Sequence, residues 1–219
     1  GISTSDFDSE MCSAGSYVHP LPSHISSPLS DKVLSEVYNN IGFVFLYGLK
    51  KPEDAREYFN QAIKINEIPE VNDQKGIAIA HTGLGTICEQ LGDLEKAGEH
   101  YNENLRISKN NGDKKGIVIS TSKLGHIHHR LIETSKDSDS SVTNLKQGRK
   151  YYNQSLFIAE GQKNGTSILF ALSGLLENFI LSESYEKGEK IFNKIDENQE
   201  SIEKNAIQDR EHSRRRQNG

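Results

Sequence analysis

The sequence predicts an all-α solenoid of about four helix-turn-helix repeats stacked into a superhelix. Two observations carry this expectation. Apolar residues recur at spacings of three and four over most of residues 31 to 205, the period of amphipathic helices. Small residues stand at Ala55, Ala97, Gly148 and Gly188, spaced by 42, 51 and 40 residues, and an aromatic follows each by four positions, at Phe59, Tyr101, Tyr152 and Phe192. A repeat of this length implies units that bury their apolar faces against their neighbours.

The elements follow in order. Residues 1–30 are rich in serine, with Pro20, Pro22 and Pro28, and show no sustained period, so they are expected to form a flexible leader. From Ser30 and Asp31, a plausible N-cap pair, Val33, Leu34, Val37, Tyr38, Ile41, Phe45 and Leu46 share one helical face. A break over Gly48 to Pro52 precedes a second helix, opened by Pro52, Glu53 and Asp54, with Ala55, Tyr58, Phe59, Ala62, Ile63 and Ile65 as its stripe. Residues 75–113 repeat this arrangement around a turn at Gly92. A third pair spans 114–166, its second helix running from Gly148 to Ala159 after an inserted loop at 133–144 that accounts for the 51-residue step. A fourth spans 167–206, and residues 207–219 form a polar, arginine-rich tail or cap.

The phrase Leu84-Gly85-x-x-Cys88, then Leu91-Gly92-Asp93, then Ala97-x-x-x-Tyr101-x-x-x-Leu105 resembles the tetratricopeptide repeat. Its period near 40, with the linking phrases at residues 72–77 and 112–117, is similar to the longer-helix arrays of LGN/Pins adaptors and kinesin light chains. The third unit departs from the pattern at Ile132 and the fourth at Leu176, which stands where a first-helix glycine is expected, so looser packing is anticipated there.

The resemblance implies a protein-interaction scaffold or adaptor that binds a peptide or protein segment in a concave groove lined by the first helices. Carried over by offset from Gly42, Gly85, Gly125 and Leu176, the groove residues are Asn39, Asn40, Phe43 and Tyr47, then Thr82, Thr86, Glu89 and Gln90. Ser122, Lys123, His126, His129 and Arg130 follow in the third unit, and Ser173, Glu177 and Leu181 in the fourth. The third set reads as a cationic patch, which implies a partner with acidic residues or a free C-terminal carboxylate, with Phe43 and Tyr47 meeting apolar side chains. The alternative is a peptide- or ligand-sensing regulatory module of a larger signalling protein.

Composition narrows the classes. A net charge of −5 argues against direct nucleic-acid binding. No apolar run is long enough for membrane insertion, and two cysteines, Cys12 and Cys88, provide neither a disulfide framework nor a four-thiolate zinc site, which points to an intracellular, cytoplasmic location. Gly83-Leu84-Gly85 lacks the third glycine and preceding strand of a dinucleotide loop. His126, His128 and His129 lack diagnostic metal spacing, and His128 is expected to point into the stack. The sequence therefore predicts no enzyme activity, cofactor or metal.

Overall fold

The computed structural model describes the backbone of residues 28–135 and 137–217, and the side chains of residues 31–135 and 137–204. The expected leader up to residue 27 lies outside the described residues. The fold is all-α, as expected, and consists of α1 Pro28–Phe43, α2 Pro52–Asn66, α3 Gln74–Gln90, α4 Leu94–Asn110, α5 Lys114–Thr134, α6 Ser138–Gly161, α7 Gly165–Leu181 and α8 Tyr185–Gln217. The chain divides into two compact units, Gly1–Gly83 and Leu84–Gly219.

In the first unit α1 begins at Pro28, ahead of the expected cap at Ser30 or Asp31. Proline has no N–H to lose at a helix start. The helix ends in a π-helical turn, Val44–Gly48, closed by the Leu49 N–H on the Val44 carbonyl at 3.0 Å. That extra residue per turn rotates Leu46 inward, where it is buried, and leaves Val44 and Tyr47 exposed. Pro52 opens α2 as predicted, and Ala55, Phe59, Ala62 and Ile65 form its buried stripe. Phe59 fills the space left by two glycines: a Cβ on Gly42 would lie 2.8 Å from its ring, and one on Gly83 would overlap it.

In the second unit one connection recurs. Gly92 has φ +82°, its N–H bonds to the Glu89 carbonyl, and the Asp93 N–H reaches back to Cys88. This pair of bonds satisfies the last carbonyls of α3 and needs a left-handed residue. Asp93 then caps α4, accepting from the Lys96 N–H. Gly112 and Asp113 repeat the arrangement before α5. The same bonds are made around Lys163 (φ +54°) before α7 and around Glu183 (φ +53°) before α8, where no glycine announces the turn.

Two expected boundaries are corrected. Residues 133–144 are not mainly a loop, because α6 starts at Ser138, capped by Asp137, which accepts from the Ser140 N–H at 2.7 Å. The Ser, Thr and Asp residues that suggested a loop occupy turns of helix that are mostly exposed, where a polar sequence needs no apolar stripe. The last helix, expected to end near residue 204, runs on through the expected tail or cap at 207–219 as far as Gln217. No proline or C-terminal cap interrupts the run, and Glu186–Lys190 and Glu200–Lys204 pairs at spacing i,i+4 support it.

Packing joins consecutive helices. Cys88, Leu94, Ala97, Tyr101, Leu105, Leu124 and Ile127 form one core of the second unit. Tyr152, Leu156, Ala159, Ile168, Ala171, Leu172 and Leu175 form the next, together with Val118. Tyr152 is held between Gly125 and Gly174, either of which would strike its ring if it carried a Cβ. Gly174, two residues before Leu176, meets the filler of the preceding pair as Gly83 meets Phe59. Arg149 also ties α6 to α7, donating to Asn178 Oδ1 at 2.9 Å and lying over the Phe179 ring at 4.4 Å.

Candidate functional site

The expected groove residues fall in both units, and each unit groups its own. In the first, Phe43 stacks on Tyr47 with ring centroids 6.0 Å apart and meets Phe59 edge-on at 5.0 Å, so Phe43 belongs largely to the core edge while Tyr47 is exposed. Asn39 is buried and donates from Nδ2 to the Gly76 carbonyl at 3.2 Å, which corrects its reading as a groove donor. Its amide closes the gap between α1 and the first turn of α3. Asn40 is exposed, and Thr82 is half-buried with its hydroxyl on the Ala78 carbonyl.

In the second unit Glu89 is the centre. Its carboxylate accepts from Tyr101 Oη at 2.6 Å, from Lys123 Nζ at 3.2 Å and contacts His126 Nε2 at 3.2 Å. Tyr101 Oη also lies 3.2 Å from the hydroxyl of Thr86, which is buried and therefore a support beneath the site, not a groove contact. Lys123 stands 5.7 Å over the Tyr101 ring. The glycine at Gly85 is what allows this, since a Cβ there would lie 2.6 Å from the same ring. Tyrosine from α4 thus passes between α3 and α5 and presents its hydroxyl to the first-helix face.

Burial of Glu89 raises its pKa, but hydrogen bonds from His126 and Tyr101 and the charge of Lys123 outweigh that and bring it down to about 2. It is a carboxylate at neutral pH. A second pair lies further along, His129 Nδ1 at 3.0 Å from Glu177 Oε2. Tyr152 is pushed well above the usual phenol range, by burial first and then by the charges of Glu177 and Glu89.

The expected cationic patch is therefore corrected to a charge-paired row. Lys123 and His126 face Glu89, His129 faces Glu177, and Arg130 lies 3.6 Å from Glu133. Sequence offsets placed Glu89 and Lys123 on one face but could not show that a residue 34 positions away pairs with the lysine. Ser122 is buried and shares a 2.7 Å hydrogen bond with Ser155, whereas Gln90, Ser173 and Leu181 are exposed. Tyr101 was legible only as packing; the one signal for its second role was tyrosine, not phenylalanine, at a filler position.

His128 is half-buried, stacks on Tyr151 at 5.6 Å and shares a 2.9 Å hydrogen bond with Asn144. Among the described residues no three His, Cys, Asp or Glu side chains come together as a metal-binding group. No helix among them is long and apolar enough to cross a membrane.

The sequence profile of the tetratricopeptide repeat matches residues 35–69 and 78–111, the first two helical pairs. Those two stretches read as tetratricopeptide repeats. Two solved structures agree in fold. The apo form of RapI is 17% identical, with a TM-score of 0.67 over 90% of this chain and 62% of that one. BtubC (BKLC) from P. vanneervenii is 16% identical, with a TM-score of 0.65 over 79% of this chain and 66% of that one. The chain thus spans less than two-thirds of the length of either. Comparison with curated proteins gave no match. Proteins of this repeat type bind proteins or peptides and are generally non-catalytic, so the repeats suggest an interaction scaffold.

Proposed function

We propose that this protein is a non-catalytic adaptor whose second unit holds a peptide or protein segment on the first-helix face around Lys123 and His126, engaging acidic side chains or a C-terminal carboxylate. The observation that carries this reading is the way Glu89 holds two partly exposed cationic or donor groups side by side, with Tyr101 and Thr86 bracing it from below. An ammonium has three N–H donors, so Lys123 can serve Glu89 and a second acceptor together. Glu89 orients the donors, and the incoming carboxylate completes them.

The acidic character of the partner is testable by charge. Titration of a fluorescent acidic peptide with a free C-terminus should show saturable binding that an amidated neutral analogue lacks. Lys123→Met keeps the aliphatic stem over Tyr101 and removes the charge; it should weaken binding by roughly 1 to 3 kcal/mol. Unchanged affinity would remove Lys123 from the site. Glu89→Gln removes the competing negative charge and should tighten the acidic peptide several-fold; weaker binding would mean that the orienting role of Glu89 toward Lys123 and His126 outweighs the charge it withdraws.

A further inference from the structure

On the first-helix face of the second unit, two imidazoles of α5 stand between carboxylates of the helices on either side. His126 faces Glu89 of α3 at 3.2 Å, and His129 faces Glu177 of α7 at 3.0 Å. Both rings are partly open to solvent, with side chains 38% and 21% exposed. His128 is turned away from them, onto Tyr151 and Asn144.

The groups around these rings come from every helix packed there. From α3, Glu89 has a pKa of about 2 and is a carboxylate well below neutrality. From α4, the Tyr101 hydroxyl donates to Glu89. From α6, Tyr152 is pushed up by burial and by the charges of Glu177 and Glu89, so it stays a neutral phenol. On α5 itself, Lys123 shares Glu89, and Arg130 lies 3.6 Å from Glu133, which offsets its charge. Imidazole is the side chain whose charge ordinarily changes between about pH 5 and 8.

Protonation changes two properties of the face. With both imidazoles neutral, Lys123 alone opposes Glu89 and Glu177, and an acidic segment meets a net negative row. With both protonated, three cations oppose two carboxylates and the sign reverses. Hydrogen bonding changes too. His126 turns Nε2 to Glu89 and His129 turns Nδ1 to Glu177, which leaves one ring nitrogen on each for a partner. In a neutral ring that donates to its glutamate this second nitrogen is an acceptor, and only the imidazolium makes it a donor.

We propose that proton uptake by His126 and His129 switches this face from one that repels an acidic segment to one that holds it, so that partner capture is coupled to pH. The inference rests on the adaptor reading above and adds its regulation: Lys123 supplies the constant charge and the two histidines the variable one.

The test is the affinity of an N-acetylated acidic peptide with a free C-terminus, titrated into the full chain from about pH 8 to about pH 5.5 at fixed ionic strength. Such a peptide keeps its own charge over that range, because its carboxyl groups titrate at about pH 4 or below. Binding is expected to be roughly tenfold tighter at the acid end, two part-exposed charge contacts being worth a few-fold each. Calorimetry in buffers of different ionisation enthalpy should show protons taken up on binding near neutral pH. In the double variant His126→Gln, His129→Gln, with folding checked by circular dichroism, affinity should stay at the parent's weak alkaline value throughout, with no proton uptake. The double variant His126→Lys, His129→Lys should instead bind at the alkaline end as tightly as the parent does at the acid end. Equal affinity of the parent at both ends, or a pH dependence that survives in the glutamine variant, overturns the proposal and leaves the adaptor reading standing. Absence of binding at every pH overturns both.

Discussion

Glu89 and the aromatic fillers show how single residues set both stability and recognition. The Glu89 carboxylate is stabilised by three groups in the folded chain, which bring its pKa from an ordinary 4.5 down to about 2. A depressed carboxylate pKa contributes stability that is present above the unfolded value and lost as pH falls through the folded one. The contribution, about 3 kcal/mol at most, should therefore be complete above pH 4.5 and fade toward pH 2. Chemical denaturation of the parent and Glu89→Gln should show a stability gap at neutral pH that narrows across that window; a gap that is constant with pH would mean that Glu89 is not held as described. The glycines beneath the fillers are equally constrained. Gly85→Val would drive a side chain into the buried Tyr101 ring and should cost roughly 1 to 3 kcal/mol in urea denaturation, by overpacking.

At the level of the element, the informative turns are those that break the rule of their neighbours. Lys163 and Glu183 hold the left-handed conformation that glycine supplies at Gly92 and Gly112. Replacing either with glycine should relieve that strain, and Lys163→Gly is expected to stabilise the chain by roughly 1 kcal/mol. A loss of stability would show that the side chain contributes more than the backbone costs. The same comparison explains what the sequence could reveal. The four pairs were legible because Ala55, Ala97, Gly148 and Gly188 and their aromatics mark the junctions, and Gly92 and Gly112 mark the turns. The start of α6 was hidden because periodicity reports burial, and the first turns of this helix are mostly exposed. Hydrogen exchange should find amides 143–147 protected, as in a helix capped at Asp137, whereas exchange at the free-peptide rate would restore the loop. The candidate site was legible as a list of positions and not as a charge pattern. Offsets along a helix give faces, but Glu89 meets Lys123 and His126 only through packing of successive first helices, and Asn39 and Thr86 turn inward because nearby polar groups need them.

For the whole molecule, two kinds of surface follow from one repeat. Junction faces bury the aromatics Phe59, Tyr101 and Tyr152 between helices. The first-helix face of the second unit carries paired charges held in place by the junctions beneath it, and the proposed partner is a polar segment with an acidic group. The most direct test of the adaptor reading is nuclear magnetic resonance of the isotopically labelled chain titrated with the acidic peptide. The account predicts saturable shift changes centred on Glu89, Lys123, His126 and His129, and saturation only at a markedly higher peptide concentration in Lys123→Met. Shift changes confined to α4, α6 and α8, or their absence at a peptide concentration that saturates binding by fluorescence, would contradict it.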